Sequence, residues 1–110
     1  MTSKLVSEII SSLGLSVLGG EAGLSNTAEN IYVCDLLSWV MGRAPENCAW
    51  VTIQGHINIM AVASLAEMAC VIVAENAEVA PEAIAKANEQ GIPLLRSDKP
   101  AHEVVIALSK

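Results

Sequence analysis

The sequence predicts an α/β protein: a three-layer α/β/α sandwich with a mostly parallel sheet of four to five strands. Short β-branched runs alternate with helix-length segments along the whole chain, which is the pattern of α/β domains. The stretch 49–75 reads as strand, tight turn, apolar helix, apolar strand, a βαβ unit of the kind that builds parallel sheets. The chain is 53% apolar, yet it has one Tyr, two Trp and no Phe. Its core must therefore be made of Ala, Val, Ile, Leu and Met, side chains that suit helices packed closely on a sheet. At 110 residues it is one domain with one core, spanning 1–110.

Taken in order, Thr2 or Ser3 is placed to cap a first helix, with Leu5, Val6, Ile9, Ile10 and Leu13 on one face at helical spacing. Gly14 ends it. A short strand is expected over 15–18 and a turn at Gly19-Gly20. The small, polar stretch 21–30 reads as loop. A strand over 31–34 leads to Asp35, which stands where an N-cap would for the helix carrying Leu36, Leu37, Trp39, Val40 and Met41. Gly42 and Pro45 stop that helix. The central strand covers 50–53, and Gly55 breaks it. Asn58 is a candidate cap for a helix over 59–68 that is apolar almost all round. Such a helix is covered on every side, which in so small a domain points to a second subunit packed on it or on the first helix. A strand follows over 70–74. Pro81 marks the first turn of the next helix, with Ile84, Ala85 and Ala87 inward and Glu82, Lys86 and Glu89 outward. Gly91 closes it. A last strand covers 92–95, where Pro93 fits a strand start or a sheet edge. A helix over 101–108 ends the chain.

The net charge of −6 disfavours nucleic acid and anionic membrane, both of which call for basic patches. Only Lys4 and Arg43 are basic before Lys86. The N-terminus has no signal-peptide core, and the apolar run 57–74 contains Asn58, Ser64 and Glu67, which suit a soluble interior better than a bilayer. Three cysteines, Cys34, Cys48 and Cys70, form an odd, widely spaced set. They read as reduced thiols of a cytoplasmic protein rather than a disulfide framework. Cys48, in a loop-like context after Pro45, is the expected exposed thiol.

No phosphate-binding Gly-x-x-x-x-Gly-Lys-Ser/Thr loop, dinucleotide Gly-x-Gly-x-x-Gly or Gly-x-Ser-x-Gly elbow occurs. His56 and His102 share no metal-ligand spacing with a cysteine or carboxylate, and no cofactor is called for. What remains is positional. Ligands of open α/β sheets sit at the carboxyl ends of the parallel strands. Those ends should carry Gly19-Gly20, Asp35, Gln54, Gly55, His56, Asn58, Glu75-Asn76, Arg96, Ser97 and Asp98. The candidate ligand-binding set is Asp35, Gln54, Gly55, His56, Asn58, Glu75, Arg96 and Ser97. Arg96 stands nearly alone as a cation and is the best contact for a small anion; a structural ion pair is the plainer role. For Asp35 and Asn58 the plainer role is a helix cap, for His56 a polar turn, for Glu75 a solvated loop. Trp39 and Trp50 suit core or subunit interface.

Several segments together resemble one family. They are Val33-x-Asp35-Leu-Leu-Ser38; Ala49-Trp-Val-Thr-Ile-Gln54-x-His56-x-Asn58-Ile-x-Ala-Val-Ala63; Ala69-Cys-Val-Ile-Val73; and Ala87-x-x-x-Gly91-Ile-Pro-Leu-Leu95. Across nearly the whole chain this resembles the DRTGG domain, which is similar to the N-terminal domain of bacterial HPr kinase/phosphorylase. The resemblance implies an α/β/α sandwich and a regulatory, often dimeric module, found in stand-alone form beside hydrogenase and redox subunits. The Asp-Arg signature of that family belongs at the turn after the central strand, where this chain has Gln54-Gly-His-Ile-Asn58. The kinase-like relatives keep catalysis in a separate phosphate-loop domain, so kinase activity does not carry over. The functional expectation is a non-catalytic cytoplasmic homodimer that senses a small ligand or docks a partner protein. The alternatives are a small enzyme using His56 as acid or base beside Asp35 or Glu75, and a redox sensor acting through Cys48.

Overall fold

The computed structural model describes residues 2–110. Its elements run β1 (Lys4–Leu5), α1 (Val6–Leu13), β2 (Ser16–Gly19), a 3₁₀ turn at Glu21–Gly23, β3 (Thr27–Ala28), β4 (Asn30–Val33), α2 (Leu37–Arg43), β5 (Cys48–Thr52), α3 (Asn58–Leu65), β6 (Cys70–Val73), α4 (Pro81–Gln90), β7 (Leu94–Arg96) and α5 (Ala101–Leu108). The five-stranded sheet has the order β2-β7-β6-β5-β4. Strands β4 to β7 are parallel, and β2 pairs antiparallel with β7. The α/β/α sandwich and its mostly parallel sheet are as the sequence predicts.

The layers follow from alternation along buried strands. On β5, Cys48 and Trp50 enter one core with Val40 of α2, Ile59 and Ala63 of α3, and Ala83 and Ala87 of α4. Ala49 and Val51 enter the other, with Val6 and Ile9 of α1 and Val104 and Leu108 of α5. Three successive crossovers step in the same direction across the sheet. Crossovers of one hand then place α2, α3 and α4 on a single face, which leaves the opposite face to α1 and α5.

Five local expectations change. The first helix begins only at Val6, because Lys4 and Leu5 pair antiparallel with Ala28 and Thr27. Glu8 Oε1 accepts the Leu5 N–H at 3.1 Å, so Thr2 and Ser3 do not cap it. The stretch 21–30 is not a free loop. Its carbonyls accept the unpaired N–H groups of the first turn of α1, Val6 to Asn26 at 2.9 Å and Ser7 to Leu24 at 3.1 Å, and Ala28 is buried. Gly19-Gly20 lies at the opposite end of the sheet from the other strand ends, since β2 runs antiparallel. A Cβ on Gly20 would stand 2.0 Å from the Ile92 carbonyl oxygen. Helix α3 stops at Leu65, and one of its faces is open: Ile59, Met60, Val62 and Ala63 are buried, whereas Leu65 is 71% exposed. On α4 the inward alanines are Ala83 and Ala87, and Ala85 is exposed.

Cys48 is the sharpest correction. It is fully buried at the start of β5, and burial pushes its thiol up to about 11. Cys70, fully buried on the other sheet face, is pushed up to about 12 by the same cause and by Cys48. Cys34 is the half-buried one. The thiolate, not the thiol, is nucleophilic, so a redox role through Cys48 has no support here. In a native thiol titration Cys34 should react, while Cys48 and Cys70 should react only on unfolding. Both buried thiols ionise later in the folded than in the unfolded chain. The resulting stability is complete below the ordinary thiol value of 9.0 and is lost as pH rises toward about 11. Urea midpoints should therefore fall across that alkaline window, and a flat profile would contradict the burial.

Candidate functional site

The carboxyl ends of β4, β5, β6 and β7 form one rim, and the loops after them form a ledge. Two hydrogen-bonded clusters occupy it. The first joins β4 to β5. Thr52 is 1% exposed, so its hydroxyl needs a partner within the protein. It donates to Asp35 Oδ1 at 2.8 Å, and the Ile53 N–H donates to the same oxygen at 2.8 Å. Gln54 Nε2 donates to the Asp35 carbonyl at 3.0 Å, and the Gln54 N–H to Thr52 Oγ1 at 3.2 Å. Asp35 is thus not the cap of α2, whose N-cap is Leu36. Its carboxylate turns to the end of β5, because that strand presents a buried hydroxyl and a free amide there. Asp35 Oδ2 accepts nothing from the described residues.

Gly55 is a packing glycine. A Cβ there would stand 1.9 Å from the Glu78 carbonyl oxygen, and its own carbonyl accepts the Ala80 N–H at 2.8 Å. The turn after β5 is thereby pressed against the loop that enters α4. Beyond it, His56 Nδ1 accepts the Asn58 N–H at 3.1 Å. The histidine, not Asn58, closes the N-terminus of α3. Both side chains are exposed, and neither Asp35 nor Glu75 is bonded to the imidazole. The imidazole Nδ1 is thus taken by the backbone, and no side chain pairs with the ring among the described residues.

The second cluster joins β6 to β7. Glu75 and Asn76 both adopt left-handed backbone, at φ 63 and φ 51. The Glu75 N–H donates to the Lys99 carbonyl at 2.8 Å and the Asn76 N–H to the Ser97 carbonyl at 2.8 Å. Ser97 is 5% exposed, and its Oγ accepts the Lys99 N–H at 3.1 Å. Alternation along β7 separates the two candidates at its end. Arg96 lies on the α4 side with Leu94. Ser97 lies on the other, where with Ser12, Leu13 and Glu103 it lines a cleft of about 230 Å³ between α1 and α5. Arg96 is half-buried, and no carboxylate pairs with it among the described residues.

The rim therefore brings Asp35, Gln54 and Gly55 together, places His56 and Asn58 beside them, and assembles Glu75 and Ser97 separately. Thr52 and Lys99 are the members that sequence reasoning missed. The one hydroxyl in the apolar run Ala49-Trp-Val-Thr-Ile was the available signal for Thr52. Parallel order across the sheet never reverses, so no switch point singles out one crevice. A second hollow, about 370 Å³, opens at the amino ends of the strands between Asn26, Glu29, Asn47 and Glu67. Its carboxylates make it a poor host for an anion.

This architecture defines a class: an α/β/α domain with a continuous ledge along four parallel strand ends. Within that class the chain matches the family described as HPr Serine kinase N terminus over residues 55–110, just over half its length, and it belongs to that family. The DRTGG-like reading of the sequence is thereby borne out. One similar solved structure comprises the CBS and DRTGG domains of the regulatory region of Clostridium perfringens pyrophosphatase, complexed with its activator diadenosine tetraphosphate. The likeness has a TM-score of 0.76 at 12% identity and covers 94% of this chain and 45% of that one. It shows a shared fold, and this chain spans under half of that longer one. No curated protein sequence matches the chain.

The Asp35–Thr52 clasp makes a stability prediction. Asp35→Ala removes the acceptor of a buried hydroxyl and of a strand-end amide, and should cost about 2 kcal/mol or more. Asp35→Asn keeps a carbonyl acceptor in place and should cost distinctly less. Chemical denaturation of the two variants checks the order; equal losses would mean that the clasp does not matter.

Proposed function

We propose that the chain is a non-catalytic regulatory module whose ledge receives a small anionic ligand, of the nucleotide or phosphorylated-metabolite kind. The observation that carries this reading is Arg96. In a protein of net charge −6, a half-buried guanidinium without a carboxylate partner among the described residues sits on the rim where α/β sheets bind ligands. An uncompensated cation in such a place is well suited to an anion. The N-termini of α3 and α4 open onto the same rim and add favourable dipoles. The family membership and the regulatory setting of the similar solved structure favour regulation over chemistry. So does His56, whose Nδ1 is spent on the turn. A cytoplasmic setting fits the three unpaired cysteines and the absence, among the described residues, of any helix long and apolar enough to cross a membrane. An accessory role beside redox or hydrogenase subunits belongs to the same reading and rests on family resemblance alone.

A thermal-shift screen with nucleotides and phosphorylated metabolites tests it. A ligand at about a hundred times its Kd adds roughly 2.7 kcal/mol of stability, enough to raise the Tm of a domain this size by several degrees. Arg96→Ala should abolish the shift while leaving the unliganded Tm nearly unchanged. Silence across the panel would leave docking of a partner protein as the better form of the regulatory reading. A shift that survives Arg96→Ala would move the site elsewhere.

A further inference from the structure

The side of β7 opposite Arg96 has an opening of its own. At the carboxyl end of that strand a cleft of about 230 Å³ lies between α1 and α5. Leu13, Val104 and Ala107 form its apolar wall. Ser97 closes one side. It is 5% exposed, and its Oγ accepts the Lys99 N–H at 3.1 Å, but its own hydroxyl proton goes to no acceptor among the described residues. Two opposite charges, Lys99 and Glu103, line the same cleft. No ion pair joins them to each other or to another charge among the described residues. Helix α1 ends here at Leu13 and α5 begins here at Ala101, so the negative end of one helix and the positive end of the other border the cleft. The groove widens at its far end into a hollow of about 510 Å³ that shares Leu13 and Ala107. There Lys4 Nζ donates to the Leu108 carbonyl at 3.0 Å and to the Lys110 carbonyl, and Glu8 Oε1 accepts the Leu5 N–H. At the Ser97 end, by contrast, both charges and a buried donor stand unused.

We propose that this cleft binds a small zwitterion, an α-amino acid with an apolar side chain. Three features select that ligand. The first is charge. A simple anion would satisfy Lys99 and leave Glu103 facing it, and a simple cation would do the reverse. A carboxylate and an ammonium on one carbon satisfy both. The carboxylate takes the Lys99 ammonium and the Ser97 hydroxyl, both of which are donors. The ammonium takes Glu103 and the terminal carbonyls of α1, which lack intrahelical partners. The second is size. A volume of about 230 Å³ equals that of about eight waters at roughly 30 Å³ each, which suits an amino acid and is too small for a nucleotide. The third is the wall, whose three aliphatic side chains offer burial to an aliphatic group and no polar partner. The cleft is separate from the Arg96 ledge, because successive residues of β7 face opposite sides of the sheet.

Isothermal titration calorimetry of the full chain with L-valine, L-leucine and L-methionine, taken to millimolar concentration, tests this. None of these probes carries a phosphate, so a failure here leaves the anion reading standing, and a failure of that reading leaves this one standing. At least one should bind, at a single site. The tightest binder is then compared with its own decarboxylated amine and its own deaminated acid, each of which should bind about tenfold more weakly or worse. Lys99→Gln should erase the advantage of the amino acid over the amine, and Glu103→Gln its advantage over the acid. Both side chains are exposed, so both variants should fold. Amide NMR shifts on the unaltered chain locate the ligand without any substitution, and they should centre on residues 97–104 and 12–14. No binding by any of the three amino acids, single-charge analogues that bind as well as the amino acid, an affinity indifferent to either substitution, or shifts centred away from the cleft would each overturn the proposal.

Discussion

The fold depends on burying β5 on both faces. Every residue from Cys48 to Thr52 is buried, so the strand must satisfy two cores at once. Alternation does this with no polar exception until Thr52. Cys48 and Trp50 face the α2–α3–α4 layer, and Ala49 and Val51 face α1 and α5. The asymmetry in size is informative. The three-helix face takes the indole, whose Nε1–H donates to the Cys34 carbonyl at 2.9 Å. The two-helix face takes an alanine, which lets α5 lie close to β4 and β5. A one-residue slip would exchange the two sets and leave the indole against the closely packed pair.

The same strand creates the candidate site. A strand buried to its last residue delivers its final polar group without water, and Thr52 is that group. Its hydroxyl draws the carboxylate of Asp35 across from β4. That fixes the exit of β4, the start of α2 and the direction of Gln54. The ledge at this end is thus a consequence of satisfying one buried hydroxyl. At the β6–β7 end the backbone does the equivalent work. Glu75 and Asn76 hold left-handed conformations of the kind that cost about 1 kcal/mol or more in residues other than glycine. The amides they aim at the Lys99 and Ser97 carbonyls offset that strain.

These particulars show what can be read from sequence. Strand and helix types, the parallel β4-to-β7 run and the location of the rim are legible, because period and punctuation record them. Pro81 and Gly91 bracket α4, as the local rules require. Three things are not legible. The direction of β2 depends on pairing 80 positions away, at Ser16 and Arg96, so a parallel β2 puts Gly19-Gly20 at the wrong end of the sheet. The burial of Cys48 follows from β5 starting two residues earlier than its β-branched run suggests. The partner of Asp35 is a tertiary choice: a carboxylate before a helix is equally suited to cap it, and only the end of the neighbouring strand decides. The covered helix inferred from uniform apolarity is half open for a similar reason, since alanines at exposed positions look no different from alanines in a core.

The two ends of the rim differ in what they leave free. At the β6–β7 end the fold uses backbone groups and one hydroxyl oxygen: Ser97 Oγ, the Ser97 and Lys99 carbonyls and the Glu75 and Asn76 amides all pair within the loops, whereas the Glu75, Asn76, Asp98 and Lys99 side chains pair with nothing among the described residues. At the β4–β5 end the fold uses one carboxylate oxygen and the carbonyl of Asp35, Gln54 Nε2 and one nitrogen of His56. Asp35 Oδ2, the Gln54 carbonyl oxygen and His56 Nε2 stay available beside a half-exposed tryptophan. Groups already hydrogen-bonded to the backbone are costly to redirect, since each would leave a buried polar atom unpaired. The β6–β7 loops, fixed by these bonds, carry Arg96 at the rim. The family match begins at Gly55. The β4–β5 corner thus lies at and before the boundary of the part this chain shares most clearly with its relatives, whereas Arg96 lies within it.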